Sequence, residues 1–403
     1  MAGKQWQKFP LLFSLYIAQS IPMSFFSTVV PVIMRQENYS LESIGLLQLV
    51  KLPWIFKFLW APIVDSRTHN SRQLRRWIIL SELFYAIVIF SIGWLDLGTS
   101  FQLIVILMVI AFTASATQDI ATDAFAILIL KKNERSLGNS MQSAGSFVGS
   151  LMGTGVLLIA YYYFGWQILL WLLAAFVLIA LLPLPFYQRK NPVEKPEVKT
   201  VTPAAIKGFF AKKGMHKRVL LLVFYYSGII GTLAMLKPYM VDLGYTVKEI
   251  GIMSGIYGTS VAAGMAFLGG FIQKKIGRRK ALYLFSTVNL FSALWFVSMS
   301  MGTPGDAALY TAIGLLWGGY GLSTVVIYTT SMDMVRPGYE GTDFTVQIVI
   351  THLSGLIFAV VSGKIGDLLG YTGLFTIEAA FCGIALLTVF YVLNKNQDYA
   401  NTR

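Results

Sequence analysis

Apolar stretches of about 20 residues, the length a helix needs to cross a hydrocarbon core, follow one another along nearly the whole chain. They lack the period-two alternation of a barrel strand, and irregular backbone is not tolerated against lipid, so each predicts a spanning helix. The expected spans are 9–34, 41–64, 77–97, 101–130, 137–160, 166–187, 218–242, 249–273, 281–301, 305–330, 342–365 and 372–394, twelve in all. Polar exceptions within these runs carry the functional signal. In span four the run SATQDIATDA sets Ser115, Gln118, Asp119, Thr122 and Asp123 at helical steps of three and four, which makes one polar stripe. An ionisable group at bilayer depth costs about 3 kcal/mol or more, so that stripe must face a partner, water or a solute path.

The chain repeats itself. Tyr39-Ser40-Leu41-Glu42-Ser43-Ile44-Gly45 returns as Tyr245-Thr246-Val247-Lys248-Glu249-Ile250-Gly251, each time between the first and second spans of a half. The resulting division is a six-helix bundle at 1–188, a cytoplasmic linker at 189–217 and a second six-helix bundle at 218–403. Six spans repeated in parallel are the arrangement of major facilitator transporters, whose halves rock about a midplane site. The Pro- and Lys-rich linker predicts a flexible first part and then either a short amphipathic helix over 203–214 or plain solvated chain. Gly145, Gly149 and Gly153 on span five, Gly355, Ala359 and Gly363 on span eleven, and Gly251 and Gly255 on span eight predict close helix approaches.

Composition agrees with this pattern: 56% of the 403 residues are hydrophobic and 13% charged, too little polar surface for soluble domains of this size. The net charge of +13 raises the question of nucleic acid, but most Lys and Arg lie in short loops on the face shared by both termini. The positive-inside rule accounts for them and predicts both termini in the cytoplasm, with no nucleic-acid partner. Cys382 is the single cysteine, so neither a disulfide framework nor a cysteine metal site is available, and no metal or cofactor is expected. The opening MAGKQWQKFP lacks a leader's processing site, which predicts that the first apolar run is retained.

Inside the spans the expected charges are Lys51 and Lys57 on span two, Asp119 and Asp123 on span four, and Lys237 on span seven. At 1.5 Å per residue Lys57 lies about 12 Å and Lys51 about 21 Å from the cytoplasmic end, and Asp123 and Asp119 lie about 10 and 16 Å from theirs. The depths interleave, so mutual pairing of lysines and aspartates is expected, either as a proton or solute switch or as a static network fixing helix register. In the second half Thr324 and Tyr328 take the places of Asp119 and Asp123, and Trp317, Tyr320, Tyr225 and Tyr226 accompany them. Aromatic and hydroxyl groups suit an amphipathic organic solute, and Gln19 and Gln118 join them as cavity candidates. His352, Glu378 and Lys237 rank second: a satisfied hydrogen-bonder, a structural group on a peripheral helix, and a snorkelling lysine. At the end of span two, Asp65 precedes Arg67, Arg72, Arg75 and Arg76; with Glu134 and Arg135 these form an expected cytoplasmic gate.

SATQDIATDA, NERSLGNSMQSAG and LPWIFKFLWAPIVD resemble the AmpG-type branch of the major facilitator superfamily over nearly the whole chain. KPYMVDLGYTVKEIG and GTDFTVQ are similar to its RhtX/FptX-like siderophore permeases. That resemblance implies a proton-driven importer of a small organic solute in a bacterial inner membrane, surrounded by lipid and working by alternating access; twelve spans bury a complete cavity without a partner, so a monomer is expected. It implies that Asp119 and Asp123 carry the coupling, and it favours a siderophore-type ligand over a muropeptide or an acetyl-coenzyme A type solute. Efflux and a non-transporting membrane sensor are the other readings. An enzyme lacks residues: HExxH, GxSxG and GxxxxGK[ST] patterns are missing, and His69, His216 and His352 are far apart.

Overall fold

A computed structural model describes residues 7–36, 47–187, 192–196, 203–212 and 214–394. The first copy of the internal repeat, 39–45, lies outside the described residues. Among the described residues the chain is helical and contains no strand; a single antiparallel bridge joins Asn70 and Glu194.

Eight helices among the described residues are long and apolar enough to cross a membrane. The last, Glu340–Leu393, holds both spans expected at 342–365 and 372–394, and Gly370 (φ 64°) breaks it between them. Gly165 (φ 69°) makes the same break between the fifth and sixth expected spans, 205 positions earlier. L side chains are strained at such φ values and glycine is not, so both halves turn this hairpin on a glycine.

Spans two, three and five fall short of that measure, each for its own reason. Span two is not one rod, because it runs as Gln48–Lys51 (3-10), Leu52–Phe56 (α), Lys57–Leu59 (3-10) and Ala61–Ser66 (α). Pro53 and Pro62 lie in the first turns of the two α pieces, where the missing N–H is tolerated but a ladder from the preceding turn cannot continue. Span three starts earlier than expected, at Ser71, and carries Arg72, Arg75, Arg76 and Glu82. The helix opening span five, Arg135–Leu151, is rich in Ser, Gly, Asn and Gln.

Two compact units result. The first comprises Met1–Lys131, Gly145–Lys207 and Val335–Thr345. Its main elements are α1 (Lys8–Ser24), α2 (Leu52–Phe56), α3 (Ala61–Ser66), α4 (Ser71–Ile92), α5 (Phe101–Ile129), the last part of α6 (Arg135–Leu151), whose first part up to Ala144 belongs to the other unit, α7 (Leu157–Leu181) and most of α8 (Pro203–Phe210). Phe25, Phe26, Tyr85, Phe112 and Leu169 lie at its apolar centre. The span-five glycines pack against α1 as their spacing implies. A Cβ on Gly145 would meet Phe13 O at 2.8 Å, one on Gly149 would meet Ser20 Cβ at 2.8 Å, and one on Gly153 would overlap Ile21 O. Gly149→Leu is accordingly expected to destabilise the folded protein by about 1–3 kcal/mol or more, since overpacking forces the helices apart. A thermal melt in detergent reads this, and an unchanged midpoint would show that α1 and α6 do not approach so closely.

The second unit comprises Lys132–Ala144, Gly208–Met334 and Val346–Arg403. It holds α9 (Met215–Phe224), α10 (Ser227–Asp242), α11 (Thr259–Ile276), α12 (Arg278–Ser300), α13 (Asp306–Asp333) and most of α14 (Glu340–Asn394). The expected small-residue faces differ here. Gly355 has only ordinary contact with Ile230, at 3.5 Å, and Gly251 and Gly255 face open space. The tight approaches are instead Gly321 on the carbonyl of Ala262 and Gly228 on the carbonyl of Glu378.

Candidate functional site

The polar stripe of α5 is buried in the first unit: Ser115, Gln118, Asp119, Thr122 and Asp123 are each at most 5% exposed. Opposite it stands the broken span two. The 3-10 turn Lys57–Leu59 presents Lys57, 1% exposed, to Asp119, and the two form an ion pair through Oδ2. The other oxygen, Oδ1, accepts from Gln19 Nε2 of α1 at 2.6 Å. Lys57 Nζ also lies 4.6 Å from the ring centre of Trp54, so the ammonium is held between a carboxylate and a π face. Trp60 Nε1 donates to Thr117 Oγ1 at 3.1 Å and fixes α5 beside this turn.

The expected pairing of a span-two lysine with a span-four aspartate is made by Lys57 and Asp119. Asp123 accepts from the hydroxyl of Tyr16 on α1, and Lys51 is half-buried at the end of the preceding 3-10 turn. Tyr16 was not among the expected residues; one tyrosine in the apolar run of span one gives no signal of its own. Gln118 donates to Thr122 Oγ1 at 3.0 Å.

Glu82 is a further buried charge, outside the set expected from spans two, four and seven. It sits on α4 at 1% exposure, and neither side-chain oxygen has a hydrogen-bond partner among the described residues. A carboxyl group buried without partners costs stability. Glu82→Met, of similar volume and apolar, is expected to stabilise the fold by about 1–3 kcal/mol in a thermal melt. A lowered midpoint would show that the carboxyl is bonded.

The cavity candidates divide between the two units. Gln19 and Gln118 belong to the first; Tyr225, Tyr226, Trp317, Tyr320, Thr324 and Tyr328 belong to the second. Tyr225 and Tyr226 occupy the break between α9 and α10, with ring centres 5.9 Å apart, and Tyr226 is 5.9 Å from Tyr320. Trp317 meets Tyr320 edge-on at 6.3 Å, and its ring fills the space beside Gly258, so it packs α13 against the start of α11. The Thr324 hydroxyl donates back to Gly321 O at 2.8 Å.

Of the secondary candidates, Lys237 and His352 are exposed. Glu378 is fully buried, accepts from Ser362 and fills the space beside Gly231 of α10. Arg218, also not anticipated, is 1% exposed and donates to Gln347 at 2.9 Å, Thr330 at 3.0 Å, Ser331 at 2.5 Å and Ile327 O at 3.3 Å.

Asp65, at the end of α3, is 1% exposed and sits at the N-terminus of α14. It accepts from the amides of Gly341 at 3.1 Å and Thr342 at 2.7 Å and from the Thr342 hydroxyl at 2.6 Å. A carboxylate is favoured there by the unpaired N–H groups and the helix dipole. Its basic partner is not one of the neighbouring arginines. Arg75 donates to the carbonyl of Tyr187, Arg76 is exposed, and Lys195 of the linker reaches Asp65 Oδ1 at 2.7 Å instead. Beside them Arg336 pairs with Asp343 at 2.6 Å, and those hydrogen bonds raise the guanidinium above its ordinary pKa.

The second unit has a counterpart built differently. Asp333 at the end of α13 is held by Arg135 at 2.9 Å and Arg278 at 2.7 Å. Gln273, which occupies the place of Asp65, is fully buried with neither side-chain atom partnered among the described residues. Glu134 closes the 3-10 turn Lys132–Glu134 just before α6 and is half-buried.

These features define a multi-pass helical membrane protein with charge buried inside its bundle. Residues 12–358 match the Major Facilitator Superfamily, and the chain belongs to that family. It is 27% identical to the anhydromuropeptide permease of Escherichia coli K12 over 94% of this chain and 79% of that protein. It is 22% identical to the putative transporter AmpG 4 of Rickettsia conorii, over 95% of this chain and 96% of that one. Among solved structures, a bacterial homologue of the iron transporter ferroportin in its outward-facing state superposes with a TM-score of 0.73 at 15% identity, covering 96% and 100% of the two chains. The human organic anion transporter MFSD10 gives 0.72 at 12% identity, covering 96% and 99%. Both structures share the fold.

Proposed function

We propose that this major facilitator transporter is a proton-coupled importer of an organic solute of the muropeptide class, resident in a bacterial inner membrane with both termini in the cytoplasm. The observation that carries the coupling is the Lys57–Asp119–Gln19 cluster, a buried charge pair set on a broken helix. Broken helices within spans are where transporters of this kind place solute and ion sites. In the proposed cycle, a proton taken up by Asp119 frees Lys57 from its partner, Asp123 follows through Tyr16, and the bundles 1–188 and 218–403 rock about the linker 189–217. Asp65 gates the cytoplasmic end in the first unit, and Arg135 serves the gate in the second through its pair with Asp333. Tyr225, Tyr226 and Tyr320 offer the solute aromatic faces and hydroxyls.

Two relatives, both from Escherichia coli strains, are anhydromuropeptide permeases by name, and this supports the muropeptide class ahead of the siderophore-type ligand that the motifs favour. Proteoliposomes preloaded with unlabelled anhydromuropeptide, and given the labelled compound outside, are expected to accumulate label. Ferric siderophores serve as the second arm: label exchange with them and not with anhydromuropeptide would reverse the order. Exchange with neither would remove this solute reading.

A further inference from the structure

The segment expected to be a flexible tether holds a fully buried lysine. Around Lys195 the backbone is pinned to the loop between α3 and α4: Ser71 N–H donates to Val193 O at 2.9 Å, Val193 N–H to Ser71 Oγ at 2.9 Å, and Lys195 N–H to His69 O at 2.9 Å. Asn70 and Glu194 form the one antiparallel bridge of this strap. The side chain then runs inward, 0% exposed, to Asp65 Oδ1 at 2.7 Å and Thr68 Oγ1 at 3.4 Å, and it ends 3.6 Å from Glu340 Oε2.

One ammonium therefore serves two carboxylates, one closing α3 and the other opening α14. Asp65 is at the same time the acceptor for the first amides of α14. Without the lysine, two acids would be buried together beside that helix start, and like charges at such range repel strongly in a dry interior. With it, the Asp65–α14 contact is held from a third element. Parting Asp65 from α14 leaves at least one of the two carboxylates without the ammonium, unless the strap moves too.

We propose that Lys195 is a positioning residue of the gate, a latch carried by the linker: seated, it holds Asp65 on the first turn of α14, and lifting the strap releases that contact. The proposal rests on the reading of Asp65 as a gate, and it adds a control point in the segment that joins the two bundles. Among the described residues the main chain of the strap is held by two backbone–backbone hydrogen bonds and one to the Ser71 hydroxyl, the kind of element that opens locally while the rest stays folded.

Hydrogen exchange of the full-length protein in lipid nanodiscs tests this without any solute, so its outcome is independent of which substrate is carried. Lys195→Met is expected to speed exchange of the Gly341 and Thr342 amides by about tenfold or more, with α5 unchanged. Lys195→Arg, which keeps the charge and reach, is expected to stay close to the native rates. Two results would overturn the latch. In one, Lys195→Met loosens only the strap amides and leaves 341 and 342 protected. In the other, exchange rises throughout α5, which makes Lys195 a general stabiliser of the unit.

Discussion

Asp119→Asn is expected to abolish solute-driven proton entry and to cost about 3–5 kcal/mol of stability, because it leaves Lys57 as an unpaired charge at 1% exposure. The amide can still bond Gln19, so the loss falls on the ion pair rather than on the whole cluster. Lys57→Met alone is expected to cost a similar amount by stranding the carboxylate. The double variant Lys57→Met/Asp119→Asn buries no charge and is expected to recover most of that stability, since a buried pair is often matched by apolar or neutral groups of like volume. Coupling is not expected to return with it. Thermal melts of the four proteins separate the two roles: additive losses in the double variant would show that the residues do not interact.

The second large effect belongs to Asp65. Asp65→Ala removes the acceptor for two amides and a hydroxyl at the start of α14 and takes from Lys195 the nearer of its two carboxylates, so a loss of about 3 kcal/mol or more is expected. Asp65→Asn keeps the shape but not the charge facing the helix N-terminus, and it is expected to fall between the native protein and the alanine variant. Arg75→Ala and Arg76→Ala are expected to have far smaller effects, because neither reaches the carboxylate. Unfolding midpoints of the four variants check the order. Equal losses in Asp65→Ala and Arg76→Ala would put the loop arginines back in the gate.

These residues also show what a sequence reveals. The α5 stripe was legible because helical periodicity puts its five polar groups on one face; the interleaved depths pointed to lysine–aspartate pairing without naming the pair, and Lys57 meets Asp119 although its depth is nearer that of Asp123. The broken path of span two was not used in that argument, although Pro53 and Pro62 mark it: hydropathy alone sees a continuous apolar run. Asp65 was legible as an acid at a helix end, but four arginines close in sequence drew attention from a lysine 130 positions away. Nothing in a Pro- and Lys-rich stretch distinguishes a lysine that turns inward from one in water. Glu82 needed no geometry to find, since it is an acid well inside an expected span, unlike Asp96 at the end of the same span. Its lack of a partner is visible only in three dimensions. Repeated glycines behaved likewise: the stripe of span five makes close approaches to α1, whereas that of span eleven makes ordinary contacts, and the spacing is the same.

The central claim is that Asp119 couples proton movement to solute movement. Proteoliposomes holding a pH-sensitive dye, given anhydromuropeptide outside, test it most directly when native protein, Asp119→Asn and the double variant are compared. The account predicts acidification with the native protein and none with either variant, while the folded double variant still exchanges label. Normal acidification by Asp119→Asn, or solute entry by the native protein without proton flux, would contradict it and leave the Lys57–Asp119 pair a structural one.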